Sequence, residues 1–195
     1  MWRKRFVIGI SALLVIFLLF TDSIWPSDSG MHTMLDYIGY ILILTCVVGR
    51  TWCSMYIGGK KKSSLIMIGP YSVSRNPLYF FSVVGSVGIG FQAGNISTGA
   101  LIGLFVYAIF SVVIGQEEKY LIERFGEDFI HYCESTPRWL PKLSGWSDVS
   151  TLNIQVELVK TTFRDALWFV AAIPLLEAIK YAQKRDILPT LLQLP

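Results

Sequence analysis

The sequence has few of the residues that bind metal ions or form disulfide frameworks. It contains two histidines and three cysteines among 195 residues. Cys46, Cys53 and Cys133 show neither the paired spacing of a disulfide framework nor the short spacing of a zinc site. No metal site is therefore predicted, and the cysteines are interpreted as structural residues.

Charged residues are also scarce, at 16% of the chain, whereas 53% of the residues are hydrophobic. The mean hydropathy of +0.51 lies outside the norm for soluble globular proteins. This composition predicts a membrane protein. The net charge of +3 is too small to indicate binding to nucleic acid. In addition, the basic residues flank apolar segments instead of lining one helix face.

Four apolar segments predict membrane-spanning helices, and a fifth lies near the C-terminus. The four segments are residues 6–20, 35–52, 78–91 and 96–115. They predict an all-α fold, a polytopic membrane bundle of four transmembrane helices in a single domain over residues 1–195. The last segment, residues 163–179, contains Pro174. It predicts a short, kinked helix against the bundle, re-entrant or interfacial, with a fifth span as the alternative.

Basic residues fall on one side of these spans. A cluster at residues 3–5 precedes the first span, and the connector at residues 22–36 has no lysine or arginine. The other basic residues on the first side are Arg50, the lysines at 60–62 and Arg75. The positive-inside rule places that side and the N-terminus in the cytoplasm. His32, on the outer side, is interpreted as a solvated loop residue, and the small size suits a bacterial or archaeal inner membrane.

The apolar hairpin between Pro77 and Glu117 brings two polar segments together. A helix rises about 1.5 Å per residue, so the leg from Pro77 to Gly94 covers roughly 25 Å and the leg from Gly94 to Glu117 roughly 35 Å. Both are close to the thickness of the bilayer hydrocarbon, about 30 Å. A chain that enters and returns therefore places Glu117 and Glu118 beside Arg75.

Local patterns in the hairpin predict packing and helix ends. Gly85, Gly88 and Gly90 predict close helix packing and not a dinucleotide site, because they lie inside an apolar helix and not after a strand. After Glu117, the fourth helix is predicted to leave the bilayer, run along its surface and end at Gly126.

One arginine beside two carboxylates suits a zwitterionic ligand. The ligand's carboxylate would pair with the guanidinium of Arg75, and its amine or hydroxyl groups with a carboxylate. A simpler interpretation is that Arg75 is a positive-inside anchor and that Glu117 and Glu118 end a helix at the interface. The wider sequence pattern favours a ligand site.

That pattern is carried by four motifs, in a fixed order. They are Gly69-Pro70-Tyr71, Arg75-Asn76-Pro77-Leu78-Tyr79, Glu117-Glu118 leading to Phe125-Gly126, and Pro137-Arg138-Trp139-Leu140-Pro141. Their order and spacing resemble the isoprenylcysteine carboxyl methyltransferase and phospholipid methyltransferase superfamily, small integral membrane enzymes that use S-adenosylmethionine (SAM). The resemblance covers residues 65–141 and leaves residues 142–195 as a C-terminal extension.

The resemblance implies SAM as the cofactor and assigns roles to single residues. Arg75 and Glu118 are the expected catalytic residues. The expected cofactor-binding residues are Met67, Ile68, Gly69, Tyr71, Arg75, Asn76, Pro77, Tyr79 and Glu117. Residues 137–141 would fold over the cofactor, as in the family, or anchor the chain at the interface.

Asn76 departs from the commonest family pattern, which has histidine at this place. The change removes any role that needs an imidazole but retains hydrogen bonding to a cofactor. Because Asn76 precedes Pro77, its side chain is also predicted to cap the N-terminus of the third span.

The resemblance implies methyl transfer to a lipophilic acceptor, with membrane lipids as surroundings. The acceptor could be a prenyl-cysteine carboxylate, a lipid amine or a hydrophobic thiol, because an apolar lining does not identify a ligand. A membrane reductase of the steroid-reductase type, using a nicotinamide cofactor, is an alternative. Such reductases have a similar Arg-x-Pro-x-Tyr turn, but typically with Asn where this chain has Leu78. A non-enzymatic membrane scaffold is the third possibility.

Overall fold

The computed structural model describes residues 18–26, 28–58 and 64–194. Most of the first predicted span, at residues 6–20, lies outside the described residues, as do the basic residues at positions 3–5 and 60–62. Helix makes up 71% of the structure and strand 4%. The prediction of a mainly helical fold is therefore confirmed, and a short pair of strands is added to it.

The described elements follow one another in a simple order. They are β1 (Thr21–Ser23), α1 (Gly30–Ile57), α2 (Pro70–Val73), α3 (Pro77–Phe91), α4 (Ile96–Phe125), α5 (Glu127–Ser135), a 3₁₀ turn (Leu143–Gly145), α6 (Val156–Lys184) and β2 (Leu192–Leu194). Strands β1 and β2 pair in parallel, so the end of the described chain returns to its beginning.

Helices α1 and α4 are long and apolar enough to cross a membrane. They have 28 and 30 residues, which corresponds to about 42 and 45 Å. Helix α3 is apolar but shorter, with 15 residues. The three helices match the predicted segments at 35–52, 78–91 and 96–115, and α1 and α4 extend beyond the predicted ends.

Helix α3 packs between α1 and α4 through glycines. A Cβ atom on Gly88 would lie 2.9 Å from the carbonyl oxygen of Gly39 in α1, and one on Gly90 would collide with the backbone of Gly99 in α4. Helix backbones approach this closely only where side chains are missing. The interpretation of these glycines as packing residues is confirmed.

Helix α4 continues without interruption from the apolar hairpin into the charged segment. At its start, the side chain of Asn95 accepts a hydrogen bond of 2.7 Å from the backbone N–H of Thr98. At its end, Gly126 has φ of +56° and its N–H donates to Ile122 O at 2.8 Å. The predicted C-cap at Gly126 is confirmed, and the chain changes direction there, into α5.

Helix α6 is longer than the sequence predicted. It has 29 residues and includes Pro174, so the expectation of a short helix at residues 163–179 is wrong. Leu158, near its start, packs against the cluster of Cys53 and Tyr71, whereas Lys180, near its end, lies 3.3 Å from Asp36 in the first part of α1. The helix therefore runs beside α1 from one end of the bundle to the other. Beyond residues 163–179, the helix is held by Leu158 in that cluster and by Gln183, whose Nε2 donates to Leu19 O and Thr21 O at 3.1 Å. The apolar run does not contain these contacts.

The prediction for His32 is also wrong. Helix α1 begins at Gly30, and His32 lies in its first turn with 5% of its surface exposed. Its ring packs against Gly94, in the α3–α4 loop, where a Cβ atom would collide with it. Its Nε2 lies 3.7 Å from Asp36 Oδ2. The early start of the helix places this residue under the loop instead of in solvent.

Candidate functional site

The site is built on the turn that precedes α3. Gly69 has φ of +58°, and a Cβ atom at this position would collide with the ring of Tyr56. Glycine is therefore required both by the left-handed backbone and by the close ring. Pro70 then begins α2, which ends at Val73, two residues before Arg75.

A strap, residues 136–142, lies along this turn. Arg75 N–H donates to Pro137 O at 2.8 Å, and Lys142 N–H donates to Val73 O at 2.9 Å. Between them, the hydroxyl of Ser74 donates to Trp139 O at 3.0 Å. These bonds fix the strap beside the turn, close to where the sequence placed the closing segment.

Arg75 is held by three acceptors. Its Nη1 donates to Cys133 O at 2.7 Å and to Thr136 O at 3.0 Å, and its Nη2 lies 3.1 Å from Glu118 Oε1. The side chain is only 13% exposed. The pairing of Arg75 with Glu118 confirms that the hairpin returns the carboxylates to the arginine.

Glu118 is shared between two arginines. Its Oε2 lies 2.7 Å from Arg138 Nη2, while Oε1 pairs with Arg75. Arg138 had no site role in the residue-level prediction. The signal that could have identified it is the Pro-Arg-Trp-Leu-Pro motif, in which the arginine follows the proline that accepts the Arg75 backbone bond.

Glu117 has a different partner. Its Oε1 accepts a hydrogen bond of 3.0 Å from the hydroxyl of Tyr79. The ring of Tyr79 packs against Phe110, at 4.8 Å between centroids. Among the residues that the structure describes, no cation lies within ion-pair distance of Glu117, so its negative charge is not neutralised locally.

Asn76 occupies the predicted capping position but does not cap α3 with its side chain. Its Nδ2 instead donates to Arg138 O at 3.1 Å. The prediction that the Asn76 side chain caps α3 is therefore wrong. The strap, which the local sequence does not reveal, supplies a backbone acceptor for the amide instead. Asn76 helps to hold Arg138 beside Glu118.

A cavity of about 750 Å³ lies beside this network. This volume lies within the range of ligand pockets, roughly 300–1,000 Å³. Six predicted site residues line it: Tyr71, Arg75, Asn76, Tyr79, Glu117 and Glu118. The apolar part of the wall consists of Ile57, Leu65, Ile66, Leu78, Phe110, Leu121, Phe125 and Phe129.

Four predicted residues do not line the cavity. They are Met67, Ile68, Gly69 and Pro77. Met67 is 46% exposed, and the preceding residues, Leu65 and Ile66, form the wall instead. Gly69 and Pro77 shape the turn and the start of α3, and both contribute through the backbone geometry.

Two tyrosines under the site stay neutral. Burial raises the pKa of Tyr71 well above its usual value, and burial likewise raises the pKa of Tyr132. The hydroxyl of Tyr132 donates to Tyr71 O at 2.6 Å. Both side chains are therefore hydrogen-bond donors at physiological pH and not bases.

Several buried polar atoms of the lining lack a partner. They are Arg50 Nε, Tyr71 Oη and Arg75 Nε. Buried donors normally find an acceptor, so the cavity is provided with donors for a bound ligand. Within the described ranges, no group of three or more His, Cys, Asp or Glu side chains is placed to hold a metal ion.

Comparison with known proteins gives a family and several relatives. The sequence pattern of the family described as phospholipid methyltransferase matches residues 33–128. The nickel-cobalt-cadmium resistance protein NccN of Alcaligenes xylosoxydans xylosoxydans is 32% identical over 95% of this chain and 86% of its own. The cobalt-zinc-cadmium resistance protein CzcN of Cupriavidus metallidurans is 31% identical over 89% of this chain and 82% of its own.

A more distant relative has an enzyme name. The protein-S-isoprenylcysteine O-methyltransferase B of Arabidopsis thaliana is 27% identical over 60% of each chain. No solved structure matches the chain.

Proposed function

The chain belongs to the isoprenylcysteine carboxyl methyltransferase and phospholipid methyltransferase superfamily, and on this premise we propose that it transfers a methyl group from SAM to a lipophilic acceptor in the membrane. The observation that carries the proposal is that two adjacent carboxylates at one cavity have different partners. Glu118 is neutralised by Arg75 and Arg138, whereas Glu117 accepts the hydroxyl of Tyr79 and has no cation within ion-pair distance among the described residues. An uncompensated carboxylate suits a ligand with cationic groups.

The lining residues fit SAM in their chemistry. Glu117 offers acceptor oxygens for an ammonium group or for ribose hydroxyls. Arg75 Nε and Tyr71 Oη are buried donors without a partner, which suits a carboxylate or a heterocycle nitrogen. Arg75 and Glu118 were the expected catalytic pair, and we propose that Arg75 binds a reactant while Glu118 positions the two arginines.

Bound SAM supplies a methyl group activated by a sulfonium. The chain's own contribution is to orient the reactants and exclude water, because methyl transfer from a sulfonium disperses positive charge and is favoured in a dry, aligned pocket. Phe110, Phe125 and Phe129 form much of the apolar wall. The strap is tied by Arg138 to Glu118, which lines the cavity.

We further propose that the site faces the cytoplasm and that α6 is a span. Arg50 and Arg75 lie at the site end, which the positive-inside rule assigns to the cytoplasm. Helix α6 begins near that end, and its last turns lie beside Asp36 in the first part of α1. Lys180 is neutralised there by Asp36 and by Glu177, at 3.3 and 2.6 Å, which lowers the cost of a cation near the outer surface.

Binding measurements test the cofactor. Isothermal titration calorimetry on detergent-purified protein, with SAM and with its demethylated product, should show saturable binding. Glu117→Gln should weaken it by about tenfold or more, because a charged acceptor is lost. Glu123→Gln, an exposed residue of the same helix, is the matched control and should bind as the unmodified protein does. Absence of binding to either compound, together with binding of a nicotinamide cofactor, would favour the reductase; absence of both would favour the scaffold.

The similarity to two metal-resistance proteins supports a second proposal, on physiology. We propose that the methyl transfer contributes to resistance against divalent metal ions. Expression in a metal-sensitive bacterial host should improve growth on cadmium, cobalt or nickel, and Glu117→Gln should remove the benefit. Equal protection by Glu117→Gln would show that resistance does not depend on the proposed cofactor site.

A further inference from the structure

Arg50 lies at the deep end of the cavity. It is seven positions before the end of α1 at Ile57, about 10 Å inside the helix end. Its Nη1 donates to the hydroxyl of Ser82 in α3, and its side chain lines the cavity. The same Ser82 hydroxyl donates to Leu78 O at 2.8 Å. Its oxygen is therefore oriented to accept the hydrogen bond from Arg50.

The part of the chain that the structure describes does not neutralise the charge of Arg50. Among the described residues, no carboxylate lies within ion-pair distance of it, and its buried Nε has no hydrogen-bond partner. An arginine inside a membrane helix costs free energy unless a partner or a function compensates. The contact with the neutral Ser82 hydroxyl satisfies one donor but not the charge.

The position of Arg50 separates it from the other charged residues of the site. Ser82 follows Tyr79 by three residues on α3, which is about one helical turn, or ~5 Å. Tyr79 holds Glu117, so Arg50 lies about one turn deeper in the bundle than the Tyr79–Glu117 pair. The cavity wall also includes the apolar side chains of Ile57, Leu78 and Phe110.

We propose that Arg50 binds an anionic group, a carboxylate or a phosphate, of the lipophilic methyl acceptor. The inference rests on the proposed function and narrows its substrate class. Arg75, beside Glu117 and Glu118, serves the cofactor side, whereas Arg50 meets a ligand whose remaining surface is apolar. A guanidinium presents parallel donors that match carboxylate and phosphate oxygens. Neutral thiols and neutral amines lack such a group and are excluded by this assignment.

The test uses simple amphiphiles with one tail and different head groups. Dodecanoate, dodecyl phosphate and the neutral dodecanamide are titrated into the protein in a non-ionic detergent, in the presence of the demethylated cofactor product. The carboxylate or the phosphate should bind about tenfold or more tightly than the amide. The stronger of the two anions identifies whether the acceptor group is a carboxylate or a lipid phosphate.

Substitution assigns this preference to Arg50. Arg50→Gln should remove the preference for the anion and leave the affinity for the demethylated cofactor product unchanged. Arg50→Lys, which keeps the charge but loses the planar fork, should bind the anion with intermediate affinity. Arg164→Gln, an exposed arginine of α6, is the matched control and should retain the preference in full.

The outcomes separate this inference from the proposed function. Equal binding of amide and anion by the unmodified protein, or an undiminished preference in Arg50→Gln, would overturn the role of Arg50. Loss of cofactor-product binding in Arg50→Gln would also overturn it and assign Arg50 to the cofactor. If Arg50→Gln does not fold, the anion affinity of Arg50→Lys tests the inference. An affinity equal to that of the unmodified protein would contradict recognition by the guanidinium fork. Failure of the unmodified protein to bind the cofactor product would reject the proposed function, whatever the anion result.

Discussion

The carboxylate of Glu118 lies 2.7 Å from the guanidinium of Arg138, and this ion pair ties the charged part of α4 to the strap. The same carboxylate holds Arg75 through its other oxygen, at 3.1 Å. Glu118 therefore connects three segments that are distant in sequence: the turn before α3, the last part of α4 and the strap. Glu118 is therefore suited to positioning the two arginines, whereas Glu117 beside it lines the cavity without a cationic partner in the described ranges.

Arg138→Gln should loosen the strap without unfolding the protein. The Arg138 side chain is 37% exposed, so loss of its pair with Glu118 should cost only about 1 kcal/mol of stability. Affinity for the demethylated cofactor product should fall several-fold, and limited proteolysis should cut faster within residues 136–155. Arg164→Gln is the control for both assays, and an unchanged cleavage rate in Arg138→Gln would contradict the role of the ion pair.

Arg75→Ala should abolish methyl transfer and also destabilise the fold. Arg75 holds the backbone carbonyls of Cys133 and Thr136 as well as Glu118. Leaving these buried acceptors unpaired should cost roughly 2–3 kcal/mol. Thermal unfolding in detergent measures the loss, and a midpoint equal to that of the unmodified protein would show that the three contacts contribute little to stability.

Gly88→Ala should separate α3 from α1. The added methyl group would lie 2.9 Å from Gly39 O and 2.9 Å from the Cβ of Leu42, and both neighbours are on α1. Overpacking of this kind costs about 1–3 kcal/mol, more than the gain in helix propensity. Gly30→Ala, where nothing lies within 4 Å of the added atom, is the matched control, and equal unfolding temperatures for the two variants would refute the close contact.

A labelling experiment tests whether α6 crosses the membrane. In intact cells, Arg185→Cys should react with an impermeant maleimide from outside, and Lys142→Cys should react only after permeabilisation. Both variants reacting from one side would contradict a fifth span. The experiment is best carried out at neutral pH, where the native Cys133 contributes little background labelling.

Cys133 should contribute little background to that labelling, and its contribution should rise with pH. Burial raises the pKa of the Cys133 thiol above its usual value. Because the thiolate is the reactive form, a raised pKa leaves less of it at neutral pH and shifts the increase in reactivity to higher pH. In permeabilised cells, the rate for Cys133 should rise between neutral and alkaline pH more steeply than the rate for Lys142→Cys, which is a solvent-exposed position.

The sequence by itself determined the class of fold and one long-range contact. The scarcity of charge and the apolar segments predicted membrane helices, because their lengths match a bilayer. The same length argument predicted that Glu117 and Glu118 return to Arg75, since two helical legs of similar rise must end at the same face. The glycines of α3 and the end of α4 at Gly126 were predictable because close packing and a left-handed residue both require glycine.

Only the tertiary structure decided which partner each polar group has. Asn76 had a plausible local partner, yet it donates to Arg138 O, because Arg138 lies 62 residues further along the chain and no local pattern contains the strap. His32 was interpreted as a solvated loop residue but is buried under the α3–α4 loop. The sequence assigned Arg50 only to the basic residues of the cytoplasmic side, and its place in the cavity follows from how α1 and α3 pack. Helix length and amphipathicity are local properties that a sequence states directly, whereas these pairings depend on distances between segments that only the folded chain defines.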